Sequence, residues 1–324
     1  MPKAIRFYSN GGPEVLQWEE VAVGDPGPGE ARVRHKACGL NMLDVYQRTG
    51  LYKVSLPSGA GSEGSGVVEA VGPGVTQVKP GDRVAYAGGP LGAYSDVRVM
   101  PVDRLCILPE GLTFEQGAAM MLKGLTVQYL IRRTHSVQPG DTVLFHAAAG
   151  GVGLIACQWL KALGAIVIGA AGSDDKCALA KQHGADHCIN YRTEKIAERV
   201  KEITHGAGVP VVYDSVGKDT FAESLDCLRP LGLMVSFGNS SGPVPPFDAS
   251  ILAQKGSLYL TRPTLMTYTA KRADLEAMAK ELFAIVLSGK VKIEINQRYA
   301  LKDAAQAQRD LESRKNTGST ILLP

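Results

Sequence analysis

The run Phe145-His146-Ala147-Ala148-Ala149-Gly150-Gly151-Val152-Gly153 stands where a buried-strand pattern hands over to a helical one. Small side chains at such a turn let backbone come close to a pyrophosphate, and the amides and positive end of the following helix stabilise its charge. The chemistry this predicts is dinucleotide binding. The spacing departs from G-x-G-x-x-G: Gly151 and Gly153 supply the first pair, Ala156 stands three residues further on, and the first half is alanine-rich. A tight strand-to-helix turn without a ligand is the alternative, and the flanking βαβ pattern favours the nucleotide.

The type of nucleotide is decided at the end of the next strand. There NAD enzymes place an acid for the ribose diol, and NADP enzymes leave room and positive charge for a phosphate. That stretch is Gly169-Ala170-Ala171-Gly172-Ser173-Asp174-Asp175-Lys176. The strand ends in small neutral residues with Lys176 one helical turn in, which favours NADPH. Asp174 and Asp175 pull the other way as partners for ribose hydroxyls, yet a Ser173 N-cap followed by acids in the first turn has an ordinary helix-dipole explanation. His146 and His183, at a strand end and a helix end, read as packing or capping residues. The six cysteines, Cys38, Cys106, Cys157, Cys177, Cys188 and Cys227, include no C-x-x-C and have no His at zinc-finger spacing. They read as reduced thiols, Cys157 and Cys227 as core filler.

These residues need elements to hold them. To about residue 124, short strand-like runs alternate with Gly/Pro punctuation: Ala31–Arg34, Gly66–Val71, Asp82–Tyr86 and Ala93–Val97. This predicts a compact, mostly antiparallel β unit. From Asp141 onward, apolar strands (Thr142–Phe145, Ala165–Ile168, His187–Ile189, Val211–Tyr213, Leu233–Phe237) alternate with helices (Val152–Leu163, Asp174–His183, Glu194–Ile203, Thr220–Leu228). That alternation predicts a doubly wound parallel sheet covered on both faces. After the apolar run Ser257–Leu260 come a helix over Lys271–Leu287, a strand near Ile293–Tyr299, a helix over Lys302–Ser313 and a closing strand, Ser319–Leu323. Periodicity does not say whether this tail rejoins the first unit.

The chain has 324 residues, 45% hydrophobic and 21% charged, which suits about two soluble domains and excludes a disordered tail or a disulfide miniprotein. Lys plus Arg exceed Asp plus Glu by 35 − 32 = 3, interspersed along the chain, so no basic stripe marks a nucleic-acid or anionic-membrane surface. The N-terminus, Met1 to Tyr8, has no apolar signal region, and the apolar stretch Val152–Leu163 is broken by Gln158 and Lys161. A cytoplasmic, non-membrane protein is expected. The 37 glycines, without a repeat period, mean many tight turns and close backbone approaches.

Seven separated segments, in order, resemble the medium-chain dehydrogenase/reductase superfamily and within it the zinc-free quinone oxidoreductase (zeta-crystallin-like) branch. They are Asn10–Leu16, Asn41–Asp44, Pro57–Gly64, Lys123–Thr126, Ala149–Gly153, Tyr213–Gly217 and Ser236–Gly242. The resemblance covers nearly the whole chain. It implies a GroES-like mostly antiparallel β domain over 1–124, a Rossmann NADPH-binding domain over 125–262, and a return segment, 263–324, completing the first. In the zinc enzymes a Cys would stand at Asn41 and a His at Ser62, and Cys106 is alone where a four-cysteine lobe would lie. The branch therefore implies metal-free hydride transfer from NADPH to a quinone in an interdomain cleft.

The same resemblance implies the site. Tyr46 and Tyr52 would stack on or hydrogen-bond the quinone, although spacing alone would give them packing roles. Asn41 and Thr126 would orient the cofactor's ring and ribose, and Lys123 would line the nicotinamide side. Asp44 would accept from a sugar hydroxyl or relay a proton, with a helix-start cap as its plainer reading. The pyrophosphate would lie on Ala149, Gly150, Gly151, Val152 and Gly153. Gly172, Ser173, Lys176 and Tyr191 would hold the 2′-phosphate, Ser215 and Val216 end the next strand, and Phe237, Gly238, Asn239, Ser240 and Ser241 would close over the nicotinamide. Arg262 and Asn316 would return to the phosphate or amide.

Two rival readings remain open from sequence. One is an NADPH-dependent enal or enoyl reductase on the same scaffold, with Tyr46 as proton donor. The other is a nucleotide-loaded RNA-binding or structural protein; the near-neutral charge and the lack of a basic stripe argue against RNA. The apolar run Ser257–Leu260 would be an open sheet edge unless paired, and the resemblance implies a homodimer built on it.

Overall fold

The computed structural model describes residues 1–324, which form two compact units: residues 1–125, 269–287 and 293–324, and residues 126–268 and 288–292.

The first unit is built on a seven-stranded sheet. Strand Glu30–Leu40 pairs antiparallel with Glu63–Val71, Val97–Pro101 and the closing strand Ser319–Leu323; Arg83–Ala87 and Cys106–Ile107 extend one side and Ile295–Ala300 the other. The C-terminal tail thus returns to the first unit, with Thr320 opposite Leu40. In Glu30–Leu40, Ala31, Val33, His35 and Ala37 are buried while Arg32, Arg34 and Lys36 face outward, the period-2 signature of a half-covered sheet. From Ala37 onward both faces are buried, because helix Phe114–Tyr129 crosses the strand: a Cβ on Gly39 would stand 2.2 Å from the Ala118 carbonyl oxygen. A small sheet, Gln17–Glu20, Lys3–Phe7 and Ser58–Gly59, packs Ile5 and Phe7 with Leu40, Leu301 and Leu322.

Two features here differ from the sequence reading. Ala93–Ser95 is not strand: its buried backbone folds over Ala60 and Gly61 through Tyr94 N–H to Ala60 O at 2.9 Å and Ala93 N–H to Gly61 O at 3.1 Å, and regular pairing begins at Val97. Helix Phe114–Tyr129 was not expected from the sequence. Its Gly124 serves close packing, a Cβ on it lying 2.4 Å from Leu282 Cδ1.

The second unit is a six-stranded, all-parallel sheet. Its spatial order is His187–Asn190, Ile166–Ala171, Thr142–His146, Val209–Asp214, Leu228–Ser236, Tyr259–Thr261, which in order along this unit is 3-2-1-4-5-6. This is the dinucleotide-fold order, with the chain reversing direction beside Thr142–His146. Val143, Leu144, Val211 and Val212 are fully buried, as near-continuous apolar strands require. Helices Gly151–Ala162, Asp174–Gln182, Ile196–Ile203 and Phe221–Asp226 lie within two residues of the expected bounds or closer. No helix of the chain is long and apolar enough to cross a membrane.

Candidate active site

In the second unit, Ala147 takes a left-handed conformation (φ 52°) to turn the chain out of strand Thr142–His146, and Gly150 becomes the N-cap of helix Gly151–Ala162. No side chain caps this helix, so the amides of Gly151, Val152 and Gly153, which have no intrahelical acceptor, stay available to a ligand. A Cβ on Gly153 would fall 2.3 Å from Ala147 O and 2.5 Å from Ala148 O, so only glycine lets the helix start this close to the turn. Uncapped amides on a backbone-only surface fit a pyrophosphate.

At the end of the second strand, Ser173 Oγ accepts the Lys176 N–H at 3.3 Å and caps helix Asp174–Gln182. Asp174 lies in the first turn of that helix and accepts from Asn190 Nδ2 at 2.8 Å. A Cβ on Gly172 would stand 2.5 Å from the Tyr191 hydroxyl, so Gly172, Ser173, Lys176 and Tyr191 gather round one helix start.

Asp214, fully buried at the end of the fourth strand, was missed by the sequence reading. Its Oδ1 accepts from the Val216 and Gly217 amides at 2.7 and 3.2 Å, and its Oδ2 from Thr220 and Ser224 hydroxyls at 2.6 and 3.1 Å. Ser224 also meets His146 Nε2 at 2.9 Å, and burial lowers the pKa of that histidine, so it packs as a neutral ring. The segment after Ser236 is zipped to this loop: Ser240 N–H donates to Ser215 O, Ser241 N–H and Oγ to Val216 O, and a Cβ on Gly238 would reach to 2.4 Å from Ser215 O. Ser215, Val216, Gly238, Ser240 and Ser241 therefore form one rigid double loop. Asn239 lies within it, its carbonyl accepting the Gly242 amide at 2.9 Å, and Phe237 packs on Phe145 at 5.8 Å between centroids. Arg262 donates to Ser236 O at 2.8 Å, and Thr126 is buried on its helix.

In the first unit, Asn41 ends strand Glu30–Leu40 in extended backbone and caps helix Met42–Arg48. Its amide Nδ2 donates to Glu63 Oε2 at 2.8 Å; the same oxygen lies 3.4 Å from Lys123 Nζ, which also donates to Leu40 O at 3.2 Å. Glu63, fully buried and bound to the Leu122 amide through Oε1 at 2.8 Å, thus joins Asn41 to Lys123. The sequence reading quoted Glu63 inside a motif but gave it no role. A buried ammonium and carboxylate in contact compensate each other's desolvation.

Asp44 accepts the Asn41 N–H at 2.9 Å and the Tyr94 hydroxyl at 2.7 Å, both on Oδ2, while its buried Oδ1 has no partner. Burial, with a smaller push from Glu63, raises its pKa to about 6 against the pull of Tyr94 and Asn41. Tyr46 and Tyr52 come together: their rings lie 5.3 Å apart at 60°, and Tyr52 N–H donates to Tyr46 O at 2.9 Å. Buried Arg48 fixes the far end of this helix, donating to Gly11 O, to Gln308 and to both Glu312 oxygens at 2.8–3.1 Å. Asn316 is tied to its own terminal segment by Nδ2 to Thr320 Oγ1 at 3.3 Å and joins none of these clusters through the bonds described. Ser62 Oγ approaches Gln47 Oε1 at 3.4 Å, and no group of three or more His, Cys, Asp or Glu residues stands ready to hold a metal ion.

An uncapped glycine turn on a 3-2-1-4-5-6 parallel sheet, together with a separate antiparallel β unit, defines a dehydrogenase or reductase build. The alcohol dehydrogenase GroES-like domain family matches residues 27–110, and the zinc-binding dehydrogenase family matches residues 151–283. The chain is 58% identical, over 100% of both chains, to a quinone oxidoreductase of Pseudomonas aeruginosa. It matches the crystal structure of Escherichia coli quinone oxidoreductase complexed with NADPH at 53% identity and TM-score 0.98, over 99% of this chain and 100% of that one. A 2-haloacrylate reductase of a Burkholderia species is 44% identical over 100% of this chain and 99% of its own. The chain therefore belongs to the quinone oxidoreductase family of medium-chain dehydrogenase/reductases.

Proposed function

We propose that this protein is an NADPH:quinone oxidoreductase. The observation that carries the reading is end-to-end similarity to quinone oxidoreductases, one of them described in complex with NADPH, and the geometry agrees with it. Bound NADPH supplies the hydride. The amides of Gly151, Val152 and Gly153 hold the pyrophosphate, and Lys176 with Tyr191 grips the 2′-phosphate beside Gly172 and Ser173. The double loop of Ser215–Val216 and Phe237–Ser241 positions the nicotinamide, aided by Arg262 and Asn316. Asn41, with Lys123 and Thr126, orients the ring and ribose. The Glu63 bridge holds Asn41 and Lys123 at fixed separation, so neither must be ordered during the reaction.

The acceptor is a flat quinone held by the Tyr46–Tyr52 pair, which offers aromatic faces and hydroxyl donors to the developing oxyanion. Asp44 accepts from a sugar hydroxyl or relays a proton, its unpartnered Oδ1 being the atom left for it. Consumption of NADPH over a quinone panel tests this reading.

A second reading has its own support in the similarity to a 2-haloacrylate reductase: hydride delivery to an activated C=C bond. Assays with an alkenal and a crotonyl thioester beside the quinones separate the two. The protein works as a homodimer in the cytoplasm, where its six free thiols stay reduced. Support for the dimer is strand Tyr259–Thr261, which lies at the edge of its sheet with Tyr259 62% exposed. A monomeric mass in sedimentation overturns it.

A further inference from the structure

Asp44 closes a capping box on helix Met42–Arg48 with the Asn41 N–H, and this takes only one carboxyl oxygen. Tyr94 brings a second donor to that same oxygen, Oδ2, at 2.7 Å, although Oδ1 is buried and bare. The two oxygens of a carboxylate are chemically equal acceptors, so two donors on one of them fix the turn of the group about its Cβ–Cγ bond. Leaving the other oxygen orphaned costs stability, and Tyr94 enforces the arrangement that orphans it.

The Tyr94 hydroxyl is placed from outside the helix. Its N–H donates to Ala60 O at 2.9 Å, its carbonyl accepts the Ile5 N–H at 2.8 Å, and a Cβ on Gly61 would stand 2.2 Å from its ring. Helix Met42–Arg48 has other anchors: Asn41 bonds Glu63 at its start, and Arg48 bonds Gly11, Gln308 and Glu312 at its end. The Tyr94 bond is therefore spare as a fold contact. Burial first, and then the Asp44 charge, hold the Tyr94 phenol well above its ordinary 10, so it donates its proton without releasing it. The other titratable groups facing the carboxyl are Glu63, which pushes its pKa up, Lys123, which pulls it down, and Cys38, whose own thiol burial pushes up to about 12.

We propose that Tyr94 is a positioning residue: its hydroxyl locks the Asp44 carboxyl so that Oδ1 is the oxygen presented to an O–H donor, either a ribose hydroxyl of NADPH or a hydroxyl of the quinone–hydroquinone pair. The lock is a property of the free protein, and its use rests on the reading of Asp44 given above.

The test compares Tyr94→Phe, Asp44→Asn and the double variant with wild type. Phenylalanine keeps the ring on Gly61 and removes only the hydroxyl. In the nucleotide-free protein, carbon-13 NMR follows the Asp44 carboxyl, assigned by its absence from Asp44→Asn. Tyr94→Phe should raise its titration midpoint by about one pH unit, because a donor to the charged form is lost. The acid limb of kcat/KM should move up with it, since the ionised acceptor disappears as pH falls through that midpoint. At about pH 8, kcat/KM should fall about fivefold in Tyr94→Phe and about tenfold in Asp44→Asn, with the double variant no lower than Asp44→Asn. Fluorescence titration of NADPH identifies the donor: a Kd raised in both single variants assigns the ribose, an unchanged Kd with lowered kcat assigns the quinone, and either supports the proposal. A midpoint unmoved by Tyr94→Phe overturns the lock. Additive losses in the double variant overturn the positioning role. An Asp44→Asn enzyme with wild-type kcat/KM and pH profile overturns the reading of Asp44 while leaving the lock standing.

Discussion

The Tyr94 hydroxyl and the Asn41 amide both bond Oδ2 of Asp44, at 2.7 and 2.9 Å, and leave Oδ1 buried without a partner. The folded pKa of about 6 exceeds the ordinary 3.8, so folding must bury a charge that the unfolded chain keeps in water. Between these values the folded protein binds the extra proton and stability rises as pH falls; above both, the native state carries a penalty of about 3 kcal/mol. Asp44→Asn keeps one oxygen for both donors and removes the charge. Urea unfolding should show it more stable than wild type at about pH 8, with the advantage gone at about pH 4. An equal gain at both pH values contradicts this account of the carboxyl.

The Arg48 guanidinium is 1% exposed and depends on Glu312 for its counter-charge. Glu312→Gln should cost about 2 kcal/mol, less than a fully buried pair because Glu312 is a third exposed. Arg48→Lys should cost more, since an ammonium cannot reach Gly11, Gln308 and both Glu312 oxygens in fork geometry. Urea midpoints at unchanged m-value measure both.

The glycine turn makes a paired prediction. A methyl at Gly153 meets two carbonyl oxygens below 3 Å, whereas at Gly150 its closest neighbour is Ala147 O at 3.2 Å. Gly153→Ala should weaken NADPH binding by about tenfold or more, and Gly150→Ala by much less. Fluorescence titration of the reduced nucleotide separates the two.

Tyr46 is buried against Tyr52, so Tyr46→Phe preserves the ring contact and removes only the hydroxyl. If Tyr46 donates to the developing oxyanion as proposed, the variant lowers kcat by about tenfold. Unchanged kcat/KM would leave Tyr46 a packing residue.

Much of the fold was legible because its signals are local. Alternation in Glu30–Leu40, continuous apolar strands such as Thr142–His146, and the Ser173 cap each act within a few residues. Helix Phe114–Tyr129 was hidden because it is buried nearly all round, consecutive residues such as Ala118–Met121 being sealed, which leaves no amphipathic stripe to detect. The polar network was hidden for another reason. Glu63 is 22 residues from Asn41 and Tyr94 is 50 from Asp44, so only folding reveals which carboxyl each donor serves. Asp214 likewise carries no motif of its own, and its role emerges from four bonds that hold the neighbouring loop.

The central claim is that this chain moves a hydride from NADPH to a quinone, and the direct measurement is steady-state NADPH oxidation with 1,4-naphthoquinone, with product identified. The account predicts one hydroquinone-level equivalent per NADPH consumed and a kcat/KM at least about tenfold higher with NADPH than with NADH. No turnover above the rate in buffer, or equal use of NADH, would contradict it.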